Sequence, residues 1–483
     1  MNITSNAAMR AAEQQLFDSG KTSALELMNL AIERLHHAWS STSPDAWRCY
    51  DKCIVYAGHG NNAGDAMGLA AQLGVPVILR HTARFSEDSQ VQLQKLRESG
   101  YLEGEELPAD LGNARLLIID GLLGTGARGP LRPPYDALVV EINELRSRNF
   151  GSCTLAIDIP TGLEGDGACV QADITACLGA VKEPLLADSA TASVGRLLPI
   201  PLPEVELPLH EAQLITATTV APNFKRRPVE SYKNSVGHLH IIAGSRGYIG
   251  AAQLCAEAAL HAGAGLITLY CLPDIYDILA VRLAPEIMLK RVESYADIDL
   301  SKANALLIGP GLGQPNTANR LALKHIVEST SCPMLIDADG LNLMARDGWR
   351  VPAHAVLTPH VGEMTRLAGS MTSTRLAWAK DFIALHPCTL LLKGARTLIA
   401  SPKGIAYNSN GGSFMANGGQ GDCLAGVIAS FLSQGTPQHE AACTGAWLCG
   451  HAAEEAWQLL NCPLSVTASQ VIDQLQEVMR NVR

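Results

Sequence analysis

Short apolar runs that open into glycine-rich or acidic loops, each followed by a segment of helical spacing, recur along this chain, and that alternation limits its fold most. Cys53–Ala57 leads through a glycine-rich loop to a helix near Asp65–Leu73, and Val75–Leu79 to a helix near Ser86–Glu98. Arg115–Ile119 precedes a helix near Tyr135–Arg146, and Thr154–Ile157 follows. Ahead of these, Leu25, Met28, Ala31, Ile32 and Leu35 fall at helical spacing. Strands alternating with helices predict a doubly wound parallel sheet covered on both faces. The 43 glycines and only 5% aromatics favour such layers over an all-β sandwich.

The pattern breaks between Pro199 and Phe224, where prolines gather without a period. It then restarts, with strands expected at His238–Ala243, Gly265–Tyr270, Ala305–Ile308, Met334–Ile336, Ala355–Leu357 and Thr389–Leu392, and a helix at Gly250–His261. A length of 483 residues agrees with two α/β domains. Ligands of open α/β sheets bind beyond the carboxyl ends of the strands, so the loops there are the place to look for chemistry.

The net charge of −10 argues against a nucleic-acid partner, and Lys225-Arg226-Arg227 reads as a solvated linker cluster. No run approaches the roughly 20 apolar residues of a membrane span, and Met1–Ala12 lacks a secretory pattern. The 13 scattered cysteines, with no C-x-x-C pair, read as reduced thiols of a cytoplasmic protein.

In the first half, Gly58-His59-Gly60-Asn61-Asn62-Ala63-Gly64-Asp65 joins a strand to a helix, where main-chain amides can face an anion. A plain tight turn is the competing reading. Ile119-Asp120-Gly121 runs into Gly124-Thr125-Gly126, and Ile157-Asp158-Ile159-Pro160-Thr161-Gly162 closes another strand. Two carboxylates, an amide and a hydroxyl converging at one sheet edge would suit a hard cation; alternatively, each Asp only caps its own turn. As a set these motifs resemble the NAD(P)H-hydrate epimerase family, the YjeF N-terminal domain, over residues 1–215. The resemblance implies a Rossmann-like domain in which Asn61, Asn62, Ala63, Gly64 and Asp65, with Gly124, Thr125, Gly126, Ala127, Arg128, Gly129 and Pro130, hold the hydrated nicotinamide nucleotide. It further implies that Asn62, Asp120 and Thr161 bind K+. Asp158 would contact the substrate and move protons, with Lys182, matched to a lysine of the family's last strand, as its acid–base partner. The sequence departs from the usual Asn-Asn-Gly-Gly-Asp-Gly at Ala63 and Ala66. Alanine at positive φ would cost about 1 kcal/mol or more at either place.

In the second half, Asn410-Gly411-Gly412-Ser413-Phe414-Met415-Ala416-Asn417-Gly418-Gly419-Gln420-Gly421-Asp422 leads into Leu424, Val427, Ile428, Phe431 and Leu432 at helical spacing. A glycine loop thus meets a helix N-terminus, whose free amides can cradle a phosphoryl group in transfer. Asp422 is either an N-terminal capping carboxylate or a base beside that cradle. The preceding motifs are Gly244-Ser245, Gly250-Ala251-Ala252, Gly309-Pro310-Gly311-Leu312-Gly313, Asp337-Ala338-Asp339-Gly340, Thr358-Pro359-His360-Val361-Gly362-Glu363 and Lys393-Gly394-Ala395-Arg396-Thr397. Together they resemble the ADP-dependent NAD(P)H-hydrate dehydratases of the ribokinase-like fold, over residues 225–483, with Gln420 in place of a usual threonine. The resemblance implies that Ala251, Gly313, His360 and Asp422 contact the hydrate, that Lys393, Gly394, Ala395, Arg396, Thr397 and Gly421 bind the adenine nucleotide, and that Asp422 is catalytic. Mg2+ would accompany ADP. The implied partners are NADHX, NADPHX and ADP, within a homo-oligomer. The alternative is a ribokinase-like small-molecule kinase carrying a noncatalytic N-terminal nucleotide-binding or oligomerisation module.

Overall fold

The computed structural model describes residues 2–42, 50–82, 85–100, 102, 103, 107, 111, 114–127, 129–149, 151–371, 373–460 and 464–482. The chain is α/β throughout and divides into two compact units, Met1–His210 and Glu211–Arg483.

The first unit holds strands β1 (Ile3–Thr4), β2 (Lys52–Ala57), β3 (Val77–His81), β4 (Leu102–Glu103), β5 (Leu116–Gly121), β6 (Cys153–Ile157), β7 (Ile174–Gly179), β8 (Val181–Lys182) and β9 (Arg196–Pro201). Seven of them form a sheet in the order β4-β3-β2-β5-β6-β7-β9, all neighbours parallel. β5 is buried along its whole length, as a central parallel strand covered on both faces must be. The order reverses between β2 and β5, so the loops leaving these two strands diverge and open a crevice at their carboxyl ends. The helix Ala24–Thr42 packs closely on the helix Asn61–Ala70. A Cβ at Gly64 would stand 2.6 Å from Met28 Sδ, and one at Gly68 2.3 Å from Ile32 Cδ1. The loop expected at 58–65 is therefore short: Asn61–Asp65 already belong to the helix. Pro199 and Pro201, read from sequence as breakers, lie in β9 at the sheet edge, where a missing N–H leaves no ladder bond unmade. Lys182 lies in β8, which precedes β9 and pairs with β1 outside the seven-stranded sheet.

The second unit holds β10 (Ala212–Leu214), β11 (His238–Ile242), β12 (Leu266–Cys271), β13 (Met288–Arg291), β14 (Ala305–Ile308), β15 (Met334–Ile336), β16 (Ala355–Leu357), β17 (Thr389–Leu392), β18 (Thr397–Ser401) and β19 (Gly404–Asn408). They form one sheet in the order β10-β19-β18-β17-β16-β15-β14-β11-β12-β13, parallel except for the antiparallel pairs β17–β18 and β18–β19. Here the order reverses between β14 and β11. The helices Ile249–His261 and Gln420–Ser433 pack against each other so tightly that a Cβ at Gly426 would lie 2.1 Å from the Cys255 carbonyl oxygen. Alanine-rich faces and apolar strand residues make this unit's core, including Leu239, Ile241, Ala252, Cys255, Leu307, Val427 and Ile428. No helix among the described residues is long and apolar enough to cross a membrane.

Candidate active sites

In the first unit a cavity of about 490 Å³ opens at the β2/β5 crevice. Asn61, Asn62, Asp65, Gly124, Thr125, Gly126, Ala127 and Asp158 line it, together with Glu13, Met28 and His59. Asp158 follows β6 with φ 66°, one of two non-glycine residues at positive φ among those described. Strain of this kind persists where the surroundings hold a functional group in place. Its Oδ1 accepts from Lys182 Nζ and, at 3.3 Å, from the Leu178 amide. Lys182 Nζ also donates to the Leu178 carbonyl at 2.6 Å and is only 1% exposed. A buried ammonium thus meets a carboxylate that lines the cavity, an arrangement able to pass a proton.

Beneath the cavity floor, Asp120 is wholly buried. Its Oδ1 accepts from Thr161 Oγ1 at 2.7 Å and its Oδ2 from the Thr161 amide at 2.8 Å. Asn62 Nδ2 donates to the Leu123 carbonyl at 3.2 Å, while Thr161 Oγ1 accepts from the Leu123 amide at 3.1 Å. Asn62, Asp120 and Thr161 are thus gathered around Leu123. Burial pushes the Asp120 carboxyl up to about 6, against the pull of the Thr161 and Leu122 hydrogen bonds. An all-oxygen set with a desolvated carboxylate fits a hard cation.

Ala63 and Ala66 carry no strain, because both sit inside the helix Asn61–Ala70 and neither has positive φ. They and Gly64 are buried in helix packing and do not line the cavity. Gly129, at φ 74°, lines a smaller cleft beside it with Gly124 and Ala127, and Pro130 is exposed. Arg128 lies outside the described residues.

In the second unit, Asp422 stands on the first turn of the helix Gln420–Ser433, after Gly419 at φ 93°. Burial pushes its carboxyl up to about 6, with Asp337 adding to the rise and Lys393 opposing it. Lys393 Nζ donates to Asp337 Oδ1 at 2.7 Å, and Thr358 Oγ1 donates to the same oxygen at 2.8 Å. A Cβ at Gly421 would lie 3.4 Å from Lys393 Nζ. Helix amides, an ammonium and carboxylates therefore share one spot. Burial would lower the Lys393 ammonium, but Asp337, Glu363 and Asp422 outweigh it and hold the group charged.

At the β14/β11 switch, Gly313 has φ 65° and its amide donates to Asp339 Oδ2 at 2.8 Å. Ala251 comes against the Gly309–Gly313 loop, since a Cβ at Gly311 would be 2.9 Å from its own. His360 is the N-cap of the helix Val361–Ala368: its Nδ1 accepts from the Gly362 and Glu363 amides at 2.9 and 3.3 Å. The ring thus does the capping work first, with Nε2 turned to Glu363 Oε1 at 3.4 Å and the side chain 56% exposed.

A family description for NAD(P)H-hydrate dehydratase matches residues 239–477, and one for the YjeF-related protein N-terminus matches 26–183. The bifunctional NAD(P)H-hydrate repair enzyme Nnr of Coxiella burnetii is 32% identical over 93% of this chain and 94% of its own. The chain belongs to the bifunctional NAD(P)H-hydrate repair enzyme family. Its Escherichia coli K12 member is 33% identical over 92% of this chain and 88% of its own. Among solved structures, the ADP/ATP-dependent NAD(P)H-hydrate dehydratase from Bacillus subtilis, co-crystallised with ATP/Mg2+, is 28% identical. It covers 56% of this chain and 99% of its own, with a TM-score of 0.50.

Within this family's two sites, several residues escape a reading of local motifs. Asp337 is the hub of the Lys393–Thr358 network, a role that its place in a sequence motif did not assign. Arg375 is buried behind the loop Lys393–Thr397 and donates to the main-chain carbonyls of Leu392 at 2.7 Å, Lys393 at 3.2 Å and Arg396 at 3.1 Å. Gly394 has to be glycine because a Cβ there would meet the Arg375 guanidinium at 2.8 Å. Arg396 itself is only 4% exposed. Gln420, in place of threonine, ties the helix start to the Val466 carbonyl at 2.8 Å and to Asn417 Oδ1 at 3.1 Å.

Proposed function

We propose that the first unit interconverts the epimers of hydrated NADH and NADPH, and that the second dehydrates the S epimer to NAD(P)H, using ADP and releasing AMP and phosphate. The observation that carries the reading is Asp422, a desolvated carboxylate at the start of a glycine-led helix, beside the Lys393–Asp337 pair.

A hydroxyl is a poor leaving group and phosphate a good one. Asp422 takes the proton of the substrate hydroxyl as that oxygen attacks the terminal phosphorus of ADP. The first amides of the helix, which lack intrahelical acceptors, and the Lys393 ammonium hold the phosphoryl oxygens. AMP departs, and elimination of phosphate then restores the ring double bond. Mg2+ arriving with the nucleotide would supply charge neutralisation. Ala251, Gly313 and His360 border the hydrate, while Lys393, Gly394, Ala395, Arg396, Thr397 and Gly421 form the nucleotide side.

In the first unit, Asp158 addresses the hydrate, with Lys182 behind it to deliver or retain a proton. Asn61, Asn62, Asp65 and the loop Gly124–Ala127 hold the nucleotide, with Gly129 and Pro130 beyond that loop. Asn62, Asp120 and Thr161 would hold K+, which would supply positive charge to offset that of the anionic substrate.

Incubating the protein with the S hydrate, Mg2+ and ADP tests the reading. Free phosphate and reduced nicotinamide should appear in equal amounts, and Asp422→Asn should abolish both. A stable phosphorylated hydrate would make the second unit a kinase and end the lyase assignment.

A further inference from the structure

Glu13 lies on the helix Asn6–Asp18, outside every glycine motif, yet lines the same cavity as Asp65 and Asp158. Its side chain makes no hydrogen bond among the described residues. Charged and titratable groups face it from several elements: Arg10 on its own helix, Asp65 on the helix Asn61–Ala70, Asp158 after β6 and Lys182 in β8, with His59 also on the cavity wall.

Reversing the configuration of a carbon that bears a hydroxyl beside a ring nitrogen needs one group to give a proton and another to take one. Asp158 is already committed as an acceptor to Lys182 and the Leu178 amide. Asp65 is buried, with its Oδ1 unpartnered and shut away from solvent, so it suits holding the substrate better than exchanging protons. Glu13 keeps partial access to water and can be recharged between turnovers.

We propose that Glu13 is the second catalytic residue of the epimerase site, lining the same cavity as Asp158 of the Asp158–Lys182 pair. The inference rests on the epimerase reading above. A protonated Glu13 gives its proton to the departing hydroxyl. The C–O bond breaks, the nitrogen lone pair forms C=N, and water is released. Water then adds to the other face of that carbon and yields its proton to the Asp158–Lys182 pair, and the C=N electrons return to nitrogen. The surplus proton passes back to Glu13 through solvent, and the reverse direction exchanges the two roles. The site favours this chemistry because burial, then the Asp158 charge, pushes the Glu13 carboxyl up to about 7, with Lys182 and Arg10 pulling the other way. Both forms are then populated near neutrality, where proton exchange is most effective.

The test follows R/S interconversion without nucleotide in the full chain, with dehydration of the pure S hydrate as the control. Glu13→Gln should slow epimerisation by about 10²-fold or more while dehydration is unchanged, and Glu13→Asp should recover part of the loss. In the unaltered protein, enzymatic epimerisation should fall as pH rises through about 7, and that limb should be missing from the residual rate of Glu13→Gln. Epimerisation by Glu13→Gln within about three-fold of the unaltered chain overturns the proposal, as does a flat profile between about pH 6 and pH 8. The pH profile decides even where Glu13→Gln fails to fold. A parent chain that does not interconvert the epimers refutes the epimerase reading itself and this assignment with it.

Discussion

Gly421→Ala adds a single methyl group to the second residue of the helix Gln420–Ser433. That methyl would lie 3.4 Å from Lys393 Nζ and 3.9 Å from Asp337 Oδ2, ordinary van der Waals distances, with no other heavy atom within 4 Å. The backbone there is helical, where alanine is favoured over glycine by about 0.5–1 kcal/mol. The folded protein should therefore be as stable as the parent, or slightly more so. The methyl nevertheless enters the space between helix amides and ammonium in which a phosphoryl group has to sit. Losing a preorganised donor of this kind costs about 10²–10³ in turnover. Gly419→Ala is the contrasting change: it forces alanine to φ 93° and brings its Cβ to 2.7 Å from Leu254 Cδ1. The backbone alone costs about 1–2 kcal/mol there. Thermal unfolding and phosphate release, measured on both variants, separate the two effects. Gly421→Ala with unchanged stability and at least about 100-fold slower dehydration agrees with the account. Gly421→Ala that dehydrates at the parental rate refutes the phosphoryl cradle.

Two further outcomes follow from the same geometry. In the proposed reaction Asp422 acts as a base and must be ionised, and burial pushes its carboxyl up to about 6. Dehydration kcat/KM should therefore hold above that pH and fall as pH drops through it, read at saturating Mg2+ and nucleotide; a rate constant down to about pH 4 contradicts the assignment. Arg375→Met removes three charge-assisted hydrogen bonds from the carbonyls behind the nucleotide loop. Bonds of that class contribute about 1.5–3 kcal/mol each, less what water recovers. Urea unfolding of the second unit should therefore fall by at least about 2 kcal/mol, with a raised KM for ADP.

The strands of the second unit were largely legible because each is a short, continuous apolar run buried on both faces: Ala305–Ile308, Met334–Ile336, Ala355–Leu357 and Thr389–Leu392 occupy the expected residues. The residues that line the first unit's cavity, Asn61, Asn62, Asp65 and the loop Gly124–Ala127, were marked by glycine and aspartate at strand ends, although the same residues also read as turns or caps. What local spacing could not reveal is contact between distant segments. Asp337 meets Lys393 across 56 positions and Asp158 meets Lys182 across 24, the latter through two-residue strands with no periodic signature. Glu13 reads as one more polar residue on an amphipathic helix until the fold turns it into the cavity. At Ala63 and Ala66 the condition for backbone strain is not met, because both lie inside the helix Asn61–Ala70, which needs no positive φ.

The central claim is that two chemistries on one chain rescue both hydrate epimers. The direct measurement is the recovery of reduced-nicotinamide absorbance from a mixed R and S hydrate pool with Mg2+, ADP in excess and limiting enzyme. The parent chain should recover the whole pool. Asp158→Asn, in which asparagine tolerates the positive φ, should recover the S share at full rate and then slow to spontaneous epimerisation. Complete recovery by Asp158→Asn at the parental rate, or no recovery by the parent, would contradict the account.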